Sequence, residues 1–178
     1  MVRDGSTSWG TQTGQGVFSF AAKGGAETIP FPVRREESVS DDGAELWYER
    51  ACDLEPSSPD EARDAYRRAL ELDPRHAGAR VNLGRLLHEA GHPFAAASQY
   101  RLALGVSPDD PIAAFNLGVA LEDLGRDAEA IAAYERALAA DPDAADAHYN
   151  LAGLYEKEGQ AAAAIRHLKA YRKLTQGR

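Results

Sequence analysis

From residue 77 onward the sequence repeats itself every 34 residues. Superposing it at that period brings Leu83-Gly84, Leu117-Gly118 and Leu151-Ala152 into one register, with Asn82, Asn116 and Asn150 in the column before. Gly91, Gly125 and Gly159 follow in register, and then a second apolar stripe holds Ala96/Tyr100/Ala103, Ala130/Tyr134/Ala137 and Ala164/Leu168/Tyr171. A repeat of this length constrains the fold more than any composition does. Each unit is too small to bury its own apolar face, so it must bury that face on its neighbours, and the core is shared along a stack. Within a unit, Leu117, Gly118 and Leu121 at i, i+1 and i+4 face Ala130, Tyr134 and Ala137 at i, i+4 and i+7, the spacing of two amphipathic helices. Gly118 and Ala130 are small enough for close backbone approach, with Tyr134 filling the space beyond. The glycine at 91, 125 and 159 falls where a helix ends and the chain turns left-handed. Pro74, Pro108 and Pro142 follow the second stripes and block helix continuation.

Two apolar-striped helices joined at a glycine, at this period and with this Leu-Gly column, resemble the tetratricopeptide repeat. The resemblance implies an all-α superhelical solenoid of helix-turn-helix repeats. Complete units run 77–110, 111–144 and 145–178, and a looser one spans about 43–76. That first unit has Arg50 where Leu83, Leu117 and Leu151 stand, yet it keeps Trp47, Ala51 and Leu54, then Ala62, Tyr66 and Ala69, so it is expected to pack. In the fourth unit Tyr171 replaces Ala103 and Ala137. It is expected to cover the end of the stack, with Arg166, Lys169, Arg172, Lys173 and Arg178 opposing the macrodipole of the last helix.

Composition changes near residue 42. Residues 1–42 are rich in Gly, Ser and Thr, hold Pro30 and Pro32, and show no sustained helical period, which predicts a disordered, flexible arm with at most a short strand at Val17-Phe18-Ser19-Phe20. Residues 2–20, with Trp9, a Thr13-Gly14-Gln15 run and the Phe18/Phe20 pair ahead of a Pro-containing stretch, resemble the linker of bacterial MerR-like helix-turn-helix regulators that carry C-terminal tetratricopeptide repeats. That resemblance implies an alternative reading, in which the chain is the effector and partner-binding half of a regulator whose DNA-binding helices lie upstream of Met1.

Several function classes are excluded by simple arithmetic. The net charge of -8 argues against a phosphate-gripping face, so nucleic acid is not an expected partner of this chain alone. No apolar run reaches the length of a membrane span and the start lacks the apolar core of a signal peptide, which predicts a cytoplasmic protein without a membrane partner. One cysteine, Cys52, makes no internal disulfide and is read as a small filler on the first helix. His88-Glu89-Ala90-Gly91-His92 spells the H-E-x-x-H string of zinc hydrolases, but that chemistry needs one unbroken helix, and Gly91 with Pro93 breaks it here. No catalytic constellation, metal set or cofactor motif remains, and a zinc-dependent hydrolase is only a weak alternative.

The resemblance also implies where a ligand would sit, since tetratricopeptide units line a concave groove with their first helices and hold a peptide segment of another protein there. The inward columns on this sequence are Tyr48, Val81, Phe115 and Tyr149; Asn82, Asn116 and Asn150; Cys52, Arg85, Val119 and Gly153; and, one turn on, His88, Glu122 and Glu156. A side-chain amide is both donor and acceptor, so an asparagine column could pair with the backbone of an extended ligand; local bonds within the fold are the competing use. The Val81/Phe115/Tyr149 column is expected to be exposed and to bind. Only Arg85 is basic on these columns, which disfavours a clamp for a C-terminal carboxylate. An extended, apolar or mildly basic peptide fits better, because the third unit counts two basic against seven acidic residues.

Overall fold

A computed structural model describes residues 41–176. The expectations for the arm, including the Val17–Phe20 strand and the regulator-linker segment, lie outside the described residues, as do 177–178. Eight helices follow one another among the described residues: α1 (Asp41–Leu54), α2 (Pro59–Leu72), α3 (Ala77–Glu89), α4 (Pro93–Val106), α5 (Pro111–Asp123), α6 (Asp127–Ala140), α7 (Ala145–Lys157) and α8 (Ala161–Gln176). They form four antiparallel pairs, and the second helix of each pair packs on the first helix of the next. Apolar periodicity, together with local start and stop signals, explains the boundaries. Pro59, Pro93 and Pro111 open α2, α4 and α5 at the position where a missing N–H costs nothing. Asp110 caps α5 by accepting from the Ile112 and Ala113 N–H groups at 2.9 and 3.1 Å.

The intra-unit turns follow one chemistry in three units. Gly91, Gly125 and Gly159 have φ of 81°, 69° and 74°. In each, the residue after the glycine donates its N–H to a carbonyl five residues back: His92 to Leu87, Arg126 to Leu121 and Gln160 to Tyr155, at 2.9, 2.9 and 2.8 Å. This pairing satisfies helix-end carbonyls that would otherwise be bare. The first unit turns through 55–58 without a glycine, and its first helix aligns on the others at an offset of 33 rather than 34.

Packing inside a pair is small against large. A methyl group placed on Gly118 would sit 2.5 Å from the Tyr134 ring, and one on Gly84 would sit 2.7 Å from Tyr100. Tyr66, Tyr100 and Tyr134 are fully buried, each ringed by alanines of its own helix, and Ala51 plays the glycine's part in the first unit. The core therefore runs along the stack in two connected clusters rather than filling one centre. Between units, Arg136 on α6 donates to the Pro108 carbonyl at 2.9 and 2.5 Å, and Arg80 on α3 does the same to Pro74 at 3.1 and 2.5 Å, tying two of the three inter-unit loops to a neighbouring helix. Among the described residues no helix is long and apolar enough to cross a membrane.

Candidate functional site

The first helices α1, α3, α5 and α7 carry every column singled out in the sequence, and the structure sorts those columns by what they are already bonded to. The asparagines differ from one another. Asn82 donates its amide to the Tyr66 hydroxyl at 3.0 Å and to Tyr48 at 3.4 Å, and Asn150 donates to Tyr134 at 3.0 Å. The tyrosines pass the bond on, Tyr66 to Glu55 at 2.5 Å and Tyr134 to Glu122 at 3.0 Å. An Asn–Tyr–Glu relay thus joins one unit to the next at both ends of the array. Burial, reinforced by Cys52 and Glu55 at Tyr66 and by Glu122 at Tyr134 and opposed by the two asparagines, holds both phenols well above the usual tyrosine range.

The middle relay is missing. Position 88, equivalent to Glu55 and Glu122, is a histidine, and its Nε2 lies 2.6 Å from Asp123 Oδ2 instead of serving Tyr100. Asn116 has no hydrogen-bond partner among the described residues, although it is half-buried on α5. Its amide is the one member of the column left with both donor and acceptor unspent.

The aromatic column departs from its expected exposure. Val81 is buried, with 8% of its surface accessible, because it sits in the core shared with α4 and α5. Phe115 is half-buried, its ring 5.5 Å from that of Tyr134, so much of it belongs to the core. Tyr48 is half-buried between Tyr66 and His76. Tyr149 alone meets the expectation, 57% exposed with its ring 5.2 Å from Tyr171. Arg85 is paired with Glu55 and with Glu89 at 2.7 Å, which keeps its guanidinium firmly protonated. Val119 is half-buried, while Glu122 and Glu156 are exposed, Glu122 being the acceptor for Tyr134. Cys52 is exposed rather than a core filler, with Sγ 3.3 Å from the Tyr66 hydroxyl.

A groove of about 200 Å³ lies where α5 meets the loop into α7; Ile112, Phe115, Ala144 and Ala147 form its apolar lining, and Asp141 and Asp146 its polar part. Of this lining only Phe115 was singled out in the sequence, and Ile112, 63% exposed, is the large apolar residue among those missed. The signal was an isoleucine in the first turn of α5 where the other units carry Gly78 and Asp146, a large apolar residue at a position the core does not use.

Three models of one family, each described as tetratricopeptide repeat, match residues 65–97, 89–145 and 123–178. The chain carries tetratricopeptide repeats. Solved structures of like fold include a crystal structure of MamA, with 20% identity and a TM-score of 0.72 over 78% of this chain and 81% of that one. MamA AMB-1 follows with 24% identity and a TM-score of 0.67 over 76% and 74%, and MamA 41-end from Desulfovibrio magneticus RS-1 with 20% and 0.69 over 82% and 80%. At these identities the likeness is one of fold. No curated protein matches the chain in sequence. The tetratricopeptide register also settles the H-E-x-x-H string. His88 ends on α3 and bonds Asp123, whereas His92 is the N-cap of α4 beyond the Gly91 turn, so the two imidazoles belong to different helices. Among the described residues no cluster of three or more metal-ligating side chains occurs.

Proposed function

We propose that the chain is a noncatalytic protein-interaction module that holds an extended peptide segment of a partner against the first helices of its third and fourth units. The observation that carries this reading is Asn116. A half-buried amide with no internal partner follows Phe115 on α5, the helix that supplies Ile112 and Phe115 to the groove, with the exposed Tyr149 on α7. An unspent donor and acceptor suit the peptide backbone of a bound strand, while the apolar floor and the tyrosine offer desolvated area for one or two side chains. Asp141, Asp146, Glu122 and Glu156 around it favour a ligand bearing lysine or arginine over an acidic one. Asn82 and Asn150 support the geometry of the stack, so their substitution reports on packing and that of Asn116 on recognition.

The test is a selection of displayed random peptides on the full chain, followed by binding of the enriched peptides to variants. Asn116→Ala and Tyr149→Ala are expected to weaken those peptides about tenfold each, near 1.4 kcal/mol, with the helical circular dichroism of the parent retained. Peptides that bind both variants as tightly as the parent would place the site elsewhere.

A further inference from the structure

The repeat supplies its own control for what should cover each helix. On α4 and α6 the outer positions are buried by the next first helix: Ala97 and Ile131 are 0% and 9% exposed, Tyr100 and Tyr134 1% and 0%. The same positions on α8 are Ile165 and Leu168, and they stand 51% and 40% exposed. Tyr171, expected to cover this end, is half-buried and packs sideways on Tyr149 instead, leaving the stripe open. The opposite defect occurs on α1. Leu46 occupies the position where Ala79, Ala113 and Ala147 are 0% exposed against a preceding second helix, and it is 64% exposed.

Charge decides which helix fits. Over Ala161–Gln176, α8 carries Arg166, Lys169, Arg172 and Lys173 and no acidic residue. Over Asp41–Leu54, α1 carries Asp41, Asp42, Glu45, Glu49 and Asp53 against the single Arg50, whose guanidinium lies over the Trp47 ring at 5.3 Å. Every internal joint, α2 on α3, α4 on α5 and α6 on α7, seats a second helix on a first helix. Among the described residues α8 is the one second helix without such a partner, and α1 the one first helix. We propose that the exposed face of α8 docks α1 of a second copy of this chain, continuing the tetratricopeptide stack from one molecule into the next. Such a contact is heterologous, pairing different surfaces, and it propagates head to tail rather than closing as a twofold dimer. Ile165 and Leu168 receive Leu46, while Lys169 and Arg172 face Glu49 and Asp53; the apolar contact supplies affinity and the charges set polarity and register. This face is on the far side of the fourth unit from Asn116, so its test does not depend on peptide capture.

Sedimentation velocity of the full chain over a wide concentration range at low salt reads the assembly directly. The weight-average mass is expected to rise with concentration above the 19.2 kDa of one chain and to fall back as salt is added. Ile165→Glu with Leu168→Glu removes the rise. Lys169→Glu with Arg172→Glu, and separately Glu49→Lys with Asp53→Lys, each hold the protein at one chain's mass. Mixing these two charge-reversed proteins restores the assembly, because each supplies the complement of the other. A parent that stays at 19.2 kDa at every concentration overturns the proposal, as does a mixture that remains monomeric while the parent assembles.

Discussion

At the scale of single residues, the fold depends on where a side chain is absent. Gly118 faces Tyr134 so closely that an added methyl would sit 2.5 Å from the ring, and neither the helix nor the buried tyrosine has room to yield. Gly118→Ala is therefore expected to destabilise the protein by about 1–3 kcal/mol despite its better helix propensity, measured by urea unfolding. The tyrosines offer a second comparison inside one molecule. Tyr134→Phe breaks bonds to Asn150 and Glu122 and is expected to cost about 1–2 kcal/mol. Tyr100→Phe, which removes a hydroxyl with no side-chain partner among the described residues, is expected to stay within about 0.5 kcal/mol of the parent. Equal losses would mean that the relay contributes nothing beyond ring packing.

At the scale of helices, the last pair brings two histidines together. His148 on α7 and His167 on α8 meet with their Nδ1 atoms 2.9 Å apart, and His148 Nε2 lies 3.2 Å from the Pro142 carbonyl. For two neutral rings, the arrangement that satisfies both contacts has His148 donating from Nε2 to Pro142 and accepting at Nδ1 from the N–H of His167. Burial, then His148, then Arg166 lower the His167 pKa below its ordinary 6.5, and Glu135 opposes them. A base whose folded pKa is depressed binds fewer protons folded than unfolded between the two values. Its contribution is present above about pH 6.5 and is lost as pH falls through that window. Stability is thus expected to drop between about pH 7 and pH 5, and His167→Leu is expected to shrink that drop when urea unfolding is compared at the two values. A drop of undiminished size in the variant would assign it to carboxylates instead.

The sequence made the helices legible because the repeat tests every assignment three times over. Helix pairs, turn glycines and the Tyr-on-Gly contact could be read from columns alone. Exposure of the columns could not, since Val81, Phe115 and Tyr149 share one register yet differ in what the neighbouring helix brings against them. Nor could the state of the asparagines, since Asn82 and Asn150 reach a tyrosine of the preceding unit and Asn116 does not.

At the scale of the whole molecule, the described stack spends its apolar residues in equal small shares between neighbours, so stability is a sum of units and joints rather than a property of one core. Charge is distributed unequally along it: the units from first to last run about -4, 0, -5 and +3 by count of Lys+Arg minus Asp+Glu. The acidic third unit surrounds the groove, and the basic fourth unit surrounds the open face of α8, so two surfaces of different chemistry leave room for two different contacts. The central claim is that the first-helix face of the third and fourth units holds a peptide. Amide hydrogen exchange of the full chain, with and without a saturating selected peptide, tests it most directly. Protection is expected to concentrate on α5 from Ile112 to Val119 and on α7 around Tyr149, with α4 and α6 unchanged on their outer faces. Protection confined to the second helices, or to the first unit, would contradict the account.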